Sequence, residues 1–141
     1  DVVIYPTVMA GSTVLKSNNT FTFCYFDHLT TFREYNDHVK ERITDCSQPH
    51  TPLIDHADNL AQIHYSVIPW VHFSGLTHPR SYGIEDSIPK IVFGKYEKRG
   101  EHVLMPISVE VHHSLLDGYH VGLYFQGLQN SIDDPETLLE A

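Results

Sequence analysis

The second of two adjacent histidines stands four residues before an Asp-Gly pair in residues 112–118, "HHSLLDG". Histidine titrates close to physiological pH, so it can act as a general base or bind a metal ion. Aspartate can support a histidine or cap a helix. The motif therefore has three interpretations: a metal site, a catalytic base with its support, or a polar strand end that leads into a turn.

A metal site is the least favoured of the three. His112 and His113 are neighbours on a segment predicted to be extended, so their side chains point to opposite faces and do not readily share one ion. His113 and Asp117 could converge, but a third ligand would have to come from elsewhere. In the purely structural interpretation, His113 is a polar strand end and Asp117 caps the following helix.

The composition indicates one folded domain, which we expect to comprise residues 1–141. The chain is 41% apolar and 19% charged, and its formal net charge of -9 disfavours binding to nucleic acids or anionic membranes. No apolar run of membrane-spanning length or charged leader is evident, so we expect a cytoplasmic protein. Cys24 and Cys46 lack metal-binding spacing, and we expect two reduced thiols rather than a disulfide.

Strands and hairpins dominate the sequence pattern. Residues 2–6, "VVIYP", predict a strand, and residues 12–26 predict a hairpin with its turn at Ser17-Asn18-Asn19. Residues 63–76 predict another strand, which is interrupted at Pro69. A second hairpin is predicted over residues 88–113, with its turn at Lys98-Arg99-Gly100. Near its end Ile107, Val109 and Val111 alternate with Ser108, Glu110 and His112, which places one face in a core.

Two helices are predicted. Thr31 and Glu34 form a capping box that begins a helix of about four turns, and one stripe of this helix carries Leu29, Phe32, Val39 and Ile43. Residues 47–62 predict a loop with one short helix. After Asp117-Gly118, a second amphipathic helix is indicated by Val121, Tyr124, Phe125 and Leu128. The elements together predict a mixed or antiparallel sheet layered against helices.

Four stretches of the chain resemble the chloramphenicol acetyltransferase family. Residues 106–129, "PISVEVHHSLLDGYHVGLYFQGLQ", resemble its C-terminal signature, which contains the HHxxxDG motif of CoA-dependent acyltransferases. "SVIPWVHF" is similar to the family's Ser-x-x-Pro-Trp stretch, "FGKY" to the strand before its last hairpin, and "TFTFCYF" to its pocket strand. The stretches occur in the family's order and at compatible spacing.

This resemblance implies a fold and an activity. The fold is an α/β (α+β) two-layer sandwich, with a mixed, largely antiparallel sheet packed against helices. The protein would form a homotrimer with active sites at subunit interfaces. It would move an acetyl group from acetyl-CoA, without a metal, to a hydroxyl of chloramphenicol or a similar small molecule, as in antibiotic resistance. The family's chain has roughly a further N-terminal third, so residues 1–141 would be the C-terminal two thirds of the full fold.

The resemblance also implies roles for residues. His113 would be the general base that deprotonates the hydroxyl, and Ser66 would stabilise the oxyanion. His112 would be structural. Asp117 would give structural support through a salt bridge to an arginine that precedes this stretch in the family. Within this chain the candidate partners are Arg33, Arg42, Arg80 and Arg99, none of which has the family's placement.

The resemblance also implies a region that binds CoA and a region that binds the acceptor. Trp70, Lys95 and Tyr96 would contact CoA, whose negative charges suit a hairpin that carries Lys90, Lys95, Lys98 and Arg99. Phe21 and Tyr25 would hold the acceptor. Val92 replaces the family's usual threonine, and residues 75–86 depart from its pattern, so the acceptor stays open. The alternative is a non-catalytic or truncated family member that only binds a ligand or partners.

Overall fold

Seven strands and three helices make up the part of the chain that the computed structural model describes, which is residues 2–53, 59–78 and 86–139. In chain order they are β1 (Met9–Leu15), β2 (Phe21–Phe26), α1 (Phe32–Cys46), β3 (Gln62–Ile68), β4 (Lys90–Gly94), β5 (Glu97–Arg99), β6 (His102–Leu104), β7 (Ile107–Glu110), α2 (Gly118–Asp133) and α3 (Glu136–Leu139). None of the helices in these ranges combines the length and apolar character needed to cross a membrane.

Five strands form a mixed sheet in the order β2-β1-β3-β4-β7. β1 and β2 are antiparallel, as are β4 and β7, whereas β3 runs parallel to both β1 and β4. The β1–β2 pair is the first predicted hairpin, and β4 and β7 form the base of the second, whose tip is made by β5 and β6. The two parallel ladders join the hairpins into one sheet. β5 and β6 form a separate antiparallel pair. This architecture confirms the expected α+β class.

Local turn chemistry explains both hairpins. Asn19 adopts a positive φ of 62° in the first turn, and the Asn18 side chain accepts a hydrogen bond from the Thr20 amide at 3.1 Å. Asparagine tolerates this left-handed conformation better than most residues. In the second hairpin the turn lies at Gly100 and Glu101, one residue later than predicted. Gly100 takes a positive φ of 61° there, whereas Lys98 and Arg99 continue β5.

Helix α1 begins where the capping box predicts. The Thr31 hydroxyl accepts from the Glu34 amide at 3.3 Å and donates to the Glu34 carboxylate at 2.9 Å. The predicted apolar stripe was only partly right. Val39 packs on the core with Tyr35 and the buried Cys46, but Leu29, Phe32 and Ile43 are exposed. The spacing of Tyr35, Val39 and Cys46 shows that the helix faces the sheet with a neighbouring stripe.

Both long helices lie on one face of the sheet. The core beneath α1 combines Val14 of β1 with Cys24 and Phe26 of β2. On β3, Tyr65 is close to Tyr35 of α1 and to Tyr124 of α2, and burial is the main cause that raises its pKa. The α2 stripe agrees with the prediction at Val121, Tyr124 and Leu128, which are half-buried, whereas Phe125 is exposed. The opposite sheet face is therefore free to form a site.

Two further expectations about local structure were wrong, and a third falls partly outside the described residues. Residues 2–5 form no strand, because they pair with no strand of the described sheet and Ile4 is 90% exposed. The β7 residues are all half-buried, since β7 is an edge strand and neither of its faces is fully covered. The loop between α1 and β3 contains no helix in residues 47–53 and 59–61. Its residues 54–58 lie outside the described ranges, so the expected short helix stays a prediction.

The expectation that Cys24 and Cys46 are reduced thiols was also wrong. Cys24 and Cys46 form a disulfide between β2 and the last residue of α1, with their Cα atoms 6.1 Å apart. This Cα separation is usual for a disulfide. Both residues are buried, at 0% and 4% exposure. The reduced-thiol expectation failed because it was based on the absence of a motif, and the pairing arises from the packing of α1 on β2.

Candidate active site

A cleft of about 450 Å³ lies on the sheet face opposite the helices. Thr13, Ser66 and Val92 line it from the adjacent strands β1, β3 and β4, and Ser66 is directly opposite Val92 in the ladder. Leu15 and Phe21 contribute from the first hairpin. The remaining lining residues follow β3 or end it: Val67, Ile68, Trp70, Leu76, Thr77 and His78. The lining is largely apolar, with a few polar groups at defined positions, as in small-molecule sites.

Ser66 is the central polar group of this cleft. Its Oγ lies 2.9 Å from Thr13 Oγ1, and either hydroxyl can be the donor. If Thr13 donates, the Ser66 proton is available to a ligand in the cleft. Sequence reasoning selected Ser66 but missed Thr13. Only the parallel ladder between β1 and β3 brings these residues together, and the sequence does not reveal that register.

The segment after β3 is attached to the sheet at several points. The Lys95 amide donates to the Val71 carbonyl at 2.7 Å. Ser108 Oγ donates to the Leu76 carbonyl at 3.2 Å. A Cβ on Gly94 would come within 2.7 Å of the Phe73 ring, so glycine is needed for this close approach. The "FGKY" stretch thus contains the residue that allows the cleft wall to pack on β4, a role that sequence reasoning did not assign.

The three CoA candidates lie near one another. The bond from the Lys95 amide to Val71 places Lys95 and Tyr96 beside the residue that follows Trp70. Trp70 and Tyr96 are 65% and 68% exposed. Of the other hairpin cations, Lys98 is exposed, Arg99 pairs with Glu97, and Lys90 pairs with Asp86. Lys95 and Lys98 are therefore the cations best suited to meet a phosphate.

His113 lies in a tight turn between β7 and α2. The amides of Leu115 and Leu116 both donate to the His112 carbonyl, at 2.9 and 3.1 Å. His113 Nδ1 is 3.4 Å from the Leu116 carbonyl oxygen, which can only accept a proton. This contact favours the tautomer with the proton on Nδ1, so that Nε2 is a free base. The ring is exposed and is not among the described residues that line the Ser66 cleft.

The two motif histidines have different surroundings. His112 is half-buried, and its Nδ1 accepts from the Ser114 amide at 3.3 Å. A ring whose nitrogen is used by the local backbone is a structural element of the turn. The separate roles that the resemblance implies for these histidines stay a prediction, and the segment is a turn rather than the extended strand end that was expected.

Asp117 caps helix α2. Its Oδ1 accepts from the amides of Tyr119 and His120, at 3.1 and 3.2 Å, and lies 2.7 Å from His120 Nδ1. The hydrogen bond from the His120 backbone is the largest cause that lowers the pKa of this carboxyl, followed by the His120 side chain. The partner of Asp117 is thus His120, which sequence reasoning missed. Arg33, Arg42 and Arg99 do not pair with it, and Arg80 lies outside the described residues.

The two acceptor candidates are separated. Phe21 lines the Ser66 cleft, but Tyr25 lines a second cleft of about 330 Å³ with Arg42, Asp45 and Cys46. Tyr25 also packs over Gly11, where an added Cβ would come within 3.1 Å of its ring. The described residues contain no group of three or more His, Cys, Asp or Glu side chains arranged to hold a metal ion.

The mixed sheet, with helices on one face and a serine-containing cleft on the other, defines an α+β two-layer fold. The sequence model of the chloramphenicol acetyltransferase family matches residues 1–129. The chain therefore belongs to the chloramphenicol acetyltransferase family. A chloramphenicol acetyltransferase of Staphylococcus aureus is 32% identical over 121 residues, which are 86% of this chain and 51% of that protein. One of Clostridium perfringens is 30% identical over 124 residues, or 88% and 57%.

Solved structures show the same fold. A chloramphenicol acetyltransferase superposes with a TM-score of 0.72 at 22% identity, over 90% of this chain and 62% of that one. A dihydrolipoamide acetyltransferase of Azotobacter vinelandii superposes with a TM-score of 0.64 at 11% identity, over 96% and 57%. The chain spans about half the length of the curated relatives it matches. The expectation that it forms the C-terminal two thirds of a longer fold stays a prediction.

Proposed function

We propose that this protein is an acetyl-CoA-dependent O-acetyltransferase acting on a small-molecule hydroxyl, with chloramphenicol as the first acceptor to test. The observation that carries the proposal is the family match over residues 1–129, a range that contains both Ser66 and His113. Relatives at about 30% identity are named chloramphenicol acetyltransferases. We treat residues 1–141 as one acetyltransferase-like domain acting in the cytoplasm, where acetyl-CoA is available.

His113 Nε2 takes the proton from the acceptor hydroxyl, whose own pKa is too high for attack at neutral pH. The oxygen attacks the thioester carbonyl and forms a tetrahedral oxyanion, to which Ser66 Oγ donates a hydrogen bond. The oxyanion then collapses, the carbon–sulfur bond breaks, and the proton passes from His113 to the thiolate. Asp117 supports the site indirectly, because it fixes the start of α2 immediately after the His113 turn.

The binding roles follow from placement. Phe21 and the apolar cleft wall hold the acceptor beside Ser66. The exposed rings of Trp70 and Tyr96 can stack on the adenine or the pantetheine arm of acetyl-CoA, and Lys95 can meet its phosphates. Tyr25 fits the acceptor role less well, because it lines a different cleft.

We further propose a homotrimer in which His113 of one chain faces the Ser66 cleft of the next. In support, His113 is exposed and does not line the cleft of its own chain within the described residues. In a closed ring of three heterologous interfaces, each copy supplies one histidine and one cleft. Each active site would then require two chains.

The decisive test is thiol release from acetyl-CoA in the presence of chloramphenicol, comparing wild type with His113→Ala and His112→Ala. We expect His113→Ala to lose about 10²- to 10⁴-fold in rate, the usual contribution of a general base. His112→Ala should retain most of its activity and lower the melting temperature instead. If the two effects were exchanged, the assignment of the base would be wrong.

The alternative class, a non-catalytic member that only binds ligands, predicts a different result. Such a protein would bind acetyl-CoA in a titration but release no thiol with any hydroxyl acceptor. The presence of Ser66 and of a histidine with a free Nε2 supports the enzyme.

A further inference from the structure

His78 is a polar residue in a mainly apolar part of the cleft, and the chemistry proposed above does not use it. It lines the same cleft as Ser66, and its side chain is 18% exposed. It stands in residues 75–86, where the sequence departs from the family's pattern. A residue with this placement can bear on which acceptor the cleft takes.

Two side chains of the edge strand β7 fix the backbone next to His78. Glu110 Oε2 accepts a hydrogen bond from the His78 amide at 3.3 Å, and Ser108 Oγ donates to the Leu76 carbonyl at 3.2 Å. Ser108 and Glu110 are two residues apart on a strand, so they lie on the same sheet face. Residues 76–78 are therefore held against the sheet rather than free to swing away from the cleft.

The imidazole of His78 is also fixed. Its Nδ1 lies 3.4 Å from Glu110 Oε2. Its ring meets the His64 ring edge to face, with the centroids 6.5 Å apart, and His64 meets Phe23 in the same way at 5.7 Å. Phe23 in turn meets Phe21, a cleft residue, at 5.9 Å. These four rings form a continuous row along the cleft face of the sheet.

The carboxylate determines what His78 can offer to a ligand. An ionised carboxylate only accepts hydrogen bonds, so the contact with Glu110 favours a proton on Nδ1. In the neutral ring Nε2 then carries a lone pair and accepts a hydrogen bond. The neighbouring lining residues Leu15, Phe21 and Leu76 offer no such group from their side chains.

We propose that His78 is a specificity-determining residue that favours acceptors with a second hydrogen-bond donor, a hydroxyl or amide N–H, besides the hydroxyl that is acetylated. This inference rests on the proposed O-acetyltransferase function and names the class of its acceptor. Ser66 lies beside the reacting hydroxyl, and His78 Nε2 accepts from the second donor. An acceptor that lacks this donor leaves the imidazole nitrogen desolvated and without a partner, which weakens its binding.

The test uses a matched pair of acceptors, 2-phenyl-1,3-propanediol and 2-phenyl-1-propanol, which differ in one hydroxyl. For each compound, kcat/KM is measured by thiol release from acetyl-CoA, and Kd is measured by titration without acetyl-CoA. The wild type should favour the diol by about fivefold to tenfold, the worth of one hydrogen bond. This preference exceeds the twofold that two equivalent hydroxyls give by statistics.

Three variants test whether the preference for the diol depends on His78. His78→Leu removes the acceptor nitrogen at similar volume, so its ratio should fall to about two. His78→Gln keeps a hydrogen-bonding group and should retain part of the preference, which guards against misfolding of the leucine variant. His102→Leu is the matched control, because His102 is exposed on β6 and does not line the cleft; its ratio should equal that of the wild type.

The two readouts separate the two proposals. Absence of thiol release with both compounds would count against the O-acetyltransferase, whereas the ratio of Kd values would still test His78. A diol preference that survives His78→Leu would overturn the role of His78, as would a wild-type ratio of about two. Failure of the wild type to bind either compound would also overturn it, because the cleft would then not take acceptors of this class.

Discussion

At the scale of single residues, the hydroxyl pair of Thr13 and Ser66 carries most of the chemistry that the cleft can perform. Their oxygens are 2.9 Å apart. Either hydroxyl can be the donor; if Thr13 donates, the Ser66 proton is available to a ligand in the cleft that both residues line. In that arrangement Thr13 would orient the Ser66 donor before any ligand arrives, which is how a preorganised oxyanion site reduces the reorganisation that the reaction needs.

This arrangement predicts the kinetics of Ser66→Ala. The variant should lower kcat and kcat/KM together by about 10²- to 10³-fold, because the lost donor acts mainly on the oxyanion. The KM for acetyl-CoA should change little. Steady-state thiol-release assays measure all three quantities, with Ser17→Ala in the exposed β1–β2 turn as the control. A change confined to KM would place Ser66 in ground-state binding instead.

Asp117 shows where reasoning from residue types succeeds and where it fails. Its helix cap could be predicted, because an aspartate before a helical pattern is a local signal. Its side-chain partner could not be predicted from the pattern, since His120 approaches only once the first turn of α2 has formed. Because its pKa is lowered in the folded protein, the carboxylate stabilises the fold above its unfolded pKa. That contribution is lost as the pH falls through the folded pKa.

At the scale of elements, the sequence predicts what neighbouring residues determine. The Thr31 capping box and the Ser17-Asn18-Asn19 turn are local, and both elements appear where they were expected. The parallel ladders of β3 with β1 and β4 join residues far apart in the chain, so no local pattern specifies them. The cleft lies across these ladders. For this reason the sequence indicated Ser66 and Phe21 without indicating Thr13 or His78.

The link between β2 and α1 gives a prediction at this scale. The Cys24–Cys46 disulfide closes a loop with a sequence separation of 22 residues. By the loop-entropy relation, it should stabilise the fold by about 3 kcal/mol. Urea unfolding with and without a thiol reductant measures the difference, which should be absent in Cys46→Ala. Equal stability of the wild type in both conditions, or titration of two free thiols in the denatured protein, would contradict the disulfide.

At the scale of the whole molecule, the chain exposes more surface than a compact monomer. Its accessible surface is 10519 Å², whereas a folded monomer of this size has about 7,400 Å². Exposed apolar side chains contribute to this excess, among them Val2, Ile4 and Leu123. Burial of such residues is the main driving force of association. In the proposed homotrimer, part of this apolar surface would be buried between the subunits.

The shared site makes a prediction that a self-contained site does not. His113→Ala leaves the cleft intact, whereas Phe21→Asp places a charge in the cleft and leaves the histidine intact. Phe21 is 54% exposed, so the substitution should not prevent folding. Each variant alone should be inactive. When equal amounts are unfolded together and refolded, a random trimer pairs an intact histidine with the intact cleft of the next chain at about a quarter of its interfaces.

Thiol release from the mixture should therefore recover to about a quarter of the wild-type rate, and each variant refolded by itself is the control. Sedimentation of the mixture should show the same trimer as the wild type. If His113 served the cleft of its own chain, mixing would restore nothing, because every cleft next to an intact histidine would carry the aspartate. The recovered fraction thus distinguishes a site built from two chains from a site built within one.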